Sequence, residues 1–368
     1  MSELELLSKK LQQATSSSDV FGRIDGDART QTKIVQKRYH ALARAVHPDA
    51  YVTPQEKLRA QAAFVRLQLF KQAALSAIKN NTYGQVPTLA TISTRMHTYH
   101  VRSKIGGDSF TDWFVADRED SVILRLHIAK SPAKNAYVAN QATLLRTLYM
   151  DNTDSAYRPY LPKIVDSFVY RVNGINRRAL VFEQLEGWMT LESLHTYKPI
   201  VQPLDMAWIW RRLLVPLGYA HQNGVVHGAV LPSTIALQLQ EHGLILGGWY
   251  SAQSDSNGSY AALKTGIAQY HDWYPKEVIN NQPVSPATDI AMAAKTMAWL
   301  MGEDPLTGNL PSAVPSSMRA FFKSCMQGNM HTRPQNAWML IHEFDQLLER
   351  LGRPYWPHTF RPFTVHVS

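Results

Sequence analysis

The sequence lacks disulfide-forming cysteines, long apolar runs and an apolar signal segment. Cys325 is the only cysteine among 368 residues, which excludes an intramolecular disulfide and suits a reducing compartment. The segment MSELELLSKKLQQATSSSD has early acidic residues and no secretory signal core. The most apolar stretch, Ile290 to Leu300, is too short to cross a bilayer and contains Lys295, so it predicts a buried helix. We therefore expect a cytoplasmic protein with no membrane partner.

Metal-ligand spacings are also lacking. One cysteine cannot supply Cys-x-x-Cys zinc pairs, and the 14 histidines include no His-x-x-x-His pair on a clear helix. The sequence therefore predicts no metal site and no cofactor.

Charge is distributed unevenly along the chain. The formal net charge is +9. Residues 1–84 hold 13 basic and 7 acidic side chains, a balance of +6, whereas residues 85–368 hold 25 and 22, a balance of +3. This local excess favours an acidic protein partner. Dense basic runs interleaved with aromatic residues are absent, which argues against nucleic acid.

Glycine, proline and hydrophobic periodicity divide the chain into five segments. Residues 1–84 read as helix and residues 85–98 as a polar linker. Residues 99–185 read as strands interrupted by one helix, and residues 186–350 as mostly helix. Residues 351–368 form an aromatic, proline-rich tail that we expect to dock on its own domain, with a partner motif as the alternative. The order indicates an α+β multidomain protein.

A His-Pro-Asp triplet lies between two predicted helices of the first segment. Val35, Tyr39, Leu42 and Val46 repeat at helical spacing before it. Pro48 ends that helix because proline has no amide hydrogen and disfavours helical geometry in the residue before it. The apolar positions of the second helix are Leu58, Ala62, Phe64, Val65, Leu67 and Leu69. The two helices predict an all-α hairpin, whose triplet alone would also fit a simple helix terminator.

The segments DVFGRI, VQKRYHALARAVHPDAY and FVRLQLFKQAAL resemble, in this order, the J-domain (DnaJ-like) family over about 60 residues. That resemblance implies that the triplet and the basic face of the preceding helix dock on a DnaK-type chaperone and stimulate its ATPase. The implied contact residues are His47, Pro48, Asp49, Lys37, Arg38 and Arg44. His40, Ala41 and Ala45 stand where the family often has Arg or Lys, so we expect a dedicated partner. No Gly/Phe-rich or zinc-repeat segment follows, which leaves target selection to residues 99–368.

An ordered series of motifs over about residues 99–350 resembles the protein-kinase family. KIGGDSFTDWFVA resembles the glycine-rich loop, VILRLH the strand of the ATP-binding lysine, and NQATLLRTL the helix that follows. HGAVLPST resembles the catalytic loop, and LILGGW the strand before the magnesium-binding motif. The resemblance implies a two-lobed fold, with an antiparallel β N-lobe over 99–185 and an α-helical C-lobe over 186–350.

The same resemblance implies that the catalytic positions are altered. Kinases hold phosphates with a close backbone and a lysine, metal ions with Asp and Asn, and the acceptor hydroxyl with another Asp. Asp108 and Thr111 replace two loop glycines. The other degenerate positions are Gly106, retained in the loop, Arg125 at the lysine, Gln141 at its glutamate partner, Ala229 at the catalytic Asp, Thr234 at the Asn and Gly247 at the metal-binding Asp. The sequence therefore predicts a pseudokinase and not an enzyme.

Residues that brace the kinase fold are retained at family spacing. They are His227, Glu277, Asp289 and Arg333. The resemblance implies a buried ion pair between Glu277 and Arg333, and bonds from Asp289 to the backbone of the catalytic-loop segment. A scaffold kept without its catalytic groups indicates a binding role.

These observations favour a J-domain co-chaperone that recruits a DnaK-type ATPase chaperone to an unknown client bound by the kinase-like domain. One alternative is an atypical nucleotide-using enzyme in which Arg125 contacts phosphate. Another is a non-catalytic scaffold with a vestigial J-domain.

Overall fold

The computed structural model describes residues 3–14, 16–84, 88–150, 155–185, 187–198, 200–239, 241–255, 259–263, 268–304 and 307–353. The chain divides into two compact units, Met1–Thr88 and Leu89–Ser368. Residues 85–87 of the predicted linker and residues 354–368 of the predicted tail lie outside the described residues. Within the described part, no helix is both long and apolar enough to span a membrane.

The first unit consists of packed helices. Its described helices are α1 Glu3–Gln13, α2 Ser17–Phe21, α3 Ala28–Ala45 and α4 Pro54–Lys79. The side chains of Ser16, Asp27 and Thr53 accept hydrogen bonds from backbone amides at the starts of α2, α3 and α4. Such caps satisfy donors that have no partner within the helix. Polar residues at these three positions therefore set where the helices begin.

Some of the larger apolar side chains of α4 face solvent instead of the core. Leu58, Val65 and Leu69 are 71%, 51% and 61% exposed. The residues of α4 that face the core are Ala60, Ala63, Leu67, Ala74 and Ile78. Small alanine side chains let α1 and α3 approach closely, and the Arg66 guanidinium donates to the Leu11 carbonyl oxygen at 2.6 Å. Of the predicted apolar positions of α4, Leu67 therefore faces the core, whereas Leu58, Val65 and Leu69 face solvent.

The second unit begins with an antiparallel six-stranded sheet in the order β1-β2-β3-β4-β6-β5. Its strands are β1 Ala90–Ser93, β2 Thr98–Gly107, β3 Thr111–Arg118, β4 Ile123–Ala129, β5 Ile164–Val172 and β6 Ile175–Glu183. Strand β1 lies within the predicted linker, and β5 completes the sheet at its other edge. Helix α5, Asn135–Met150, follows β4 and packs on β6, as the helical periodicity of that segment predicts.

Helices dominate the remainder of the second unit. The described elements are β7 Trp188–Thr190, α6 Leu191–Tyr197, α7 Pro203–Gln222, β8 Val225–Val226, β9 Ile235–Gln238, β10 Gly243–Leu246, β11 Gln253–Ser254, α8 Lys276–Ile279, α9 Pro286–Leu300, α10 Ser316–Cys325 and α11 Ala337–Arg350. The apolar stretch Ile290 to Leu300 lies within α9 and is mostly buried, which confirms the predicted buried helix.

Two residues show how closely this part of the second unit is packed, a glycine on α7 and the cysteine on α10. A Cβ atom on Gly218 of α7 would lie 2.6 Å from the indole ring of Trp338 on α11, so only glycine allows the two helices this approach. Cys325 at the end of α10 is fully buried. Burial raises the pKa of its thiol to about 12, so the group is a neutral, inert part of the core.

Candidate functional site

The turn between α3 and α4 holds the His-Pro-Asp triplet. Residues Pro48–Ala50 form one 3₁₀ turn that begins at His47, whose backbone is extended, as sterics before proline require. Nδ1 of His47 accepts a hydrogen bond from the Asp49 amide at 3.4 Å. The imidazole also meets the edge of the Phe64 ring on α4, with centroids 5.5 Å apart. The His47 and Asp49 side chains remain 49% and 90% exposed.

A tyrosine that the sequence interpretation did not single out fastens this turn. The Tyr51 hydroxyl donates to the carbonyl oxygen of Ala45, at the end of α3. The bond satisfies an acceptor that the helix leaves unpaired at its C-terminus. Two contacts therefore hold the turn in place. The Phe64 ring packs against the His47 imidazole, and the Tyr51 hydroxyl binds the last turn of α3.

The predicted docking cations of α3 have different surroundings. Lys37 and Arg44 are exposed. The Arg38 guanidinium instead donates to the carbonyl oxygens of Phe21 and, at 3.4 Å, of Arg23. Arg38 thus connects the end of α2 to α3, in addition to the docking role that the sequence predicts for it.

In the second unit, the loop between β2 and β3 is held by the carboxylate of Asp108. One oxygen of this group accepts hydrogen bonds from the amides of Phe110 at 2.7 Å and Thr111 at 2.6 Å, and from the Thr111 hydroxyl at 3.2 Å. Converging backbone amides in such loops form anion-binding sites. Here the Asp108 carboxylate is itself the anion that these two amides bind.

Aromatic side chains fill the space beneath this loop. Phe110 is only 2% exposed and stacks on Tyr250, with ring centroids 4.6 Å apart; it also packs on Tyr137 of α5 at 5.1 Å. The Tyr250 hydroxyl lies 2.9 Å from the Thr111 hydroxyl. Burial, reinforced by the Asp108 carboxylate, raises the pKa of Tyr250 well above its usual value, so the phenol stays protonated. The loop is thus closed onto the residues that follow β10.

A second aromatic layer lies on the sheet beside Arg125. Trp113 of β3 stacks on His127 of β4 at 5.1 Å, and the edge of His127 meets Phe182 of β6 at 4.9 Å. Burial, and to a smaller extent the Arg125 cation, hold the pKa of His127 well below its usual range. The imidazole is therefore neutral and acts as an aromatic spacer between two rings.

Arg125 and Gln141 are the residues that the sequence resemblance assigns to the kinase lysine and its glutamate partner. Burial lowers the pKa of the half-buried Arg125, and its Nε atom is buried with no hydrogen-bond partner among the described residues. Gln141 on α5 is only 3% exposed and carries no charge to pair with a cation. The structure therefore shows a partly desolvated cation at Arg125 and an uncharged, buried amide at Gln141.

The segment that resembles the catalytic loop is organised around Asp289. This fully buried carboxylate of α9 accepts hydrogen bonds from the amides of His227 and Gly228, both at 2.7 Å, and lies 2.8 Å from Nε2 of His221. The Nε2 atom of His227 donates to the Gly247 carbonyl oxygen at 2.8 Å. One carboxylate and one imidazole therefore hold the backbone of His227, Gly228 and Gly247 in place.

Ala229, Thr234 and Gly247, which the sequence resemblance assigns to altered catalytic positions, come together beside this cluster. The Thr234 hydroxyl lies 2.8 Å from the carbonyl oxygen of Ala229, and the Gly247 amide donates to the Thr234 carbonyl oxygen at 2.7 Å. Together Ala229, Thr234 and Gly247 offer one side-chain hydroxyl and no carboxylate. Across the described parts of the chain, no group of three His, Cys, Asp or Glu side chains is placed to bind a metal ion.

Glu277 and Arg333 form a bidentate ion pair with N–O distances of 2.6 and 3.1 Å. Both are at most 5% exposed. The Thr288 hydroxyl donates to the same carboxylate at 3.0 Å, and the Arg333 guanidinium also donates to the Gln327 carbonyl oxygen. These hydrogen bonds and the attraction between the two charges offset the desolvation penalty of burying the pair.

Comparisons with known proteins bear on the fold of the chain. No protein-family model matches it. The serine/threonine-protein kinase shk1/pak1 of Schizosaccharomyces pombe is 22% identical over 308 residues, which cover 81% of this chain and 42% of that protein. The chain thus spans less than half the length of this relative. The crystal structure of the BubR1 kinase domain superimposes with a TM-score of 0.54 at 12% identity, covering 72% of this chain and 84% of that one. The chain therefore contains a protein-kinase-like fold, while the J-domain stays a prediction.

Proposed function

We propose that the chain is a J-domain co-chaperone of the cytoplasm with a catalytically inactive, kinase-like binding domain. The first unit recruits a DnaK-type chaperone and stimulates its ATPase, and the kinase-like domain binds the client or scaffold at which the chaperone acts. The observation that carries this proposal is the fastened, exposed turn at His47-Pro48-Asp49.

The turn is suited to contact another protein. Phe64 and Tyr51 hold it, so little conformational entropy is lost when it binds. Its imidazole and carboxylate face solvent, and Lys37 and Arg44 are exposed on the preceding helix. The excess of +6 in residues 1–84 steers an acidic partner surface toward it.

A non-catalytic role for the kinase-like domain is supported by its closed loop. Asp108 uses the loop amides that would hold phosphate, and Phe110 fills the space beneath them. Ala229, Thr234 and Gly247 provide no carboxylate for metal ions or for the acceptor hydroxyl. Without these groups, the charge that develops during phosphoryl transfer has no stabilising partner.

The test is the ATP turnover of a DnaK-type chaperone titrated with the full chain. We expect a saturable increase in turnover with the native protein and none with His47→Gln, which removes the imidazole from the turn. His331→Gln, an exposed histidine of the second unit, is the matched control and should stimulate as the native protein does. No stimulation by the native protein, or equal stimulation by His47→Gln, would refute the proposal and favour a scaffold with a vestigial J-domain.

A second candidate function is nucleotide use by the kinase-like domain, favoured by the unpaired Nε atom of Arg125. A cation without a partner in a cleft can bind an anionic ligand. If so, ATP with magnesium must raise the melting temperature of the native chain and not that of Arg125→Ala, because a ligand stabilises the state to which it binds. The co-chaperone proposal predicts no such shift.

A further inference from the structure

One apolar face of α4 is exposed and has no role in the proposed chaperone contact. Leu58, Val65 and Leu69 are each more than half exposed, and Ala62 between them is exposed as well. Their spacings of four, three and four residues are those of successive a and d positions in a heptad repeat. We call these four residues the α4 seam. A seam of this kind packs against one other helix.

The seam and the His-Pro-Asp turn lie on different sides of α4. At 100° per residue, the seam points directly away from the core-facing residues Ala63 and Leu67. Phe64, which supports the His47 ring, lies about 120° around the helix from the seam. A helix on the seam would therefore leave the turn accessible, and the two contacts are separable by substitution.

Charge indicates what kind of helix fits. Helix α4 has a single acidic residue, Glu56. Its basic residues are Lys57, Arg59, Arg66, Lys71 and Lys79. Arg59 and Arg66 directly follow Leu58 and Val65, which places them at flanking e positions, where charges select coiled-coil partners. Glu5 pairs with Arg59 at 3.0 Å, whereas Arg66 donates to the carbonyl oxygens of Leu11 and Gln12 in the last turn of α1 and has no ion pair with a carboxylate among the described residues.

This pattern disfavours a second copy of the chain as the occupant. An antiparallel pair of α4 helices would bring the flanking arginines of the two copies together, and like charges at these positions are repulsive. A helix with Glu or Asp at its flanking positions would instead meet Arg66 favourably. Polar Gln55 and Gln72 limit the seam to about three helical turns.

We propose that the α4 seam binds an acidic amphipathic helix of a partner protein, in a contact distinct from the His47 turn. Apolar residues of the partner pack on Leu58, Val65 and Leu69, and acidic residues flank them. The contact buries apolar side chains that are exposed in the free chain, which is the main source of its free energy.

The probe is a synthetic peptide of about three heptads with Leu at a and d and Glu at e and g. A matched peptide carries Lys at e and g. Titrating each with the full-length protein and following fluorescence anisotropy, we expect the acidic peptide to bind, and the Lys peptide at least about 10-fold more weakly. The double variant Leu58→Ser, Leu69→Ser should lose at least about 10-fold in affinity. Leu6→Ser, an exposed leucine of α1, should not.

Two further variants keep the test decisive. Ala62→Glu retains both leucines but places a like charge against the acidic peptide, so it should also weaken binding. His47→Gln should leave peptide binding unchanged even though it abolishes chaperone stimulation, which separates the two proposals. Absence of binding by the acidic peptide, equal binding by the seam variants or equal binding of the Lys peptide would overturn the inference. So would a native dimer that becomes monomeric in the double variant, since the occupant would then be a second copy.

Discussion

Replacing Asp108 by alanine tests whether an internal carboxylate closes the loop between β2 and β3. The substitution removes an acceptor shared by two amides at 2.6 and 2.7 Å and one hydroxyl at 3.2 Å. Hydrogen bonds to a charged group contribute about 1.5–3 kcal/mol each, but this loop is only half-buried and water can replace part of the loss. We therefore expect a net destabilisation of about 2 kcal/mol, which for a domain of this size lowers the melting temperature by about 4–8 °C.

Thermal unfolding with and without pyrophosphate measures both consequences. Asp108→Asn keeps an oxygen acceptor without the charge and should lie between the native chain and Asp108→Ala. Asp120→Ala, which removes an exposed turn carboxylate paired with Arg118, is the control and should lower the melting temperature far less than Asp108→Ala does. The amides freed in Asp108→Ala should let pyrophosphate raise its melting temperature while leaving that of the native chain unchanged. Unaltered melting of Asp108→Ala, or stabilisation of the native chain by pyrophosphate, would refute the reasoning.

Three further substitutions or conditions have calculable outcomes. Glu277→Ala leaves a buried guanidinium without its carboxylate and should cost about 3–5 kcal/mol in urea unfolding; a loss below about 1 kcal/mol would show that the ion pair is dispensable. Burial lowers the pKa values of His127 and His227 in the folded state, so acid favours unfolding. The stabilisation of the folded state by these two neutral imidazoles is complete at pH values above the unfolded pKa of about 6.5. Below that pH it falls by up to about 1.4 kcal/mol per imidazole and pH unit. A melting temperature that is unchanged between pH 7.5 and 5.5 would contradict this. Helix propensity alone would make Gly218→Ala stabilising. Because the new Cβ atom would meet the Trp338 ring, we instead expect the free energy of unfolding to fall by about 1–3 kcal/mol. Equal or greater stability would show that α7 and α11 separate easily.

Local patterns predicted many elements of the fold because periodicity reports which face of a segment is buried. Residues 99–185 were predicted as strands interrupted by one helix, and the structure has strands β2 to β6 there with α5 as the helix. The sequence pattern is weaker in β5, because its edge position in the sheet lets polar residues interrupt the apolar alternation.

The buried face of α4 could not be read from side-chain size. Leu58, Val65 and Leu69 form an apolar stripe that faces solvent, whereas Leu67 faces the core together with alanines such as Ala60 and Ala63. How closely neighbouring helices approach decides which stripe is buried, and that distance depends on α1 and α3 rather than on α4 alone.

The sequence singled out residues of the candidate site but not their contacts. Sequence order identified Asp108 only as a replacement for a loop glycine. The structure shows that the group binds the loop amides itself. The Thr111–Tyr250 bond joins residues 139 positions apart, a separation at which no local pattern carries information.

The burial of Cys325 makes the chain naturally suited to site-specific labelling. A thiol with a pKa of about 12 and no exposed surface reacts negligibly with maleimides near neutral pH. A cysteine introduced at Val52, which is 88% exposed in the first unit, or at Met96, which is 74% exposed in the second, would therefore carry a probe alone. A donor and an acceptor dye at this pair of positions would report the separation of the two units directly by energy transfer, with the native thiol left silent.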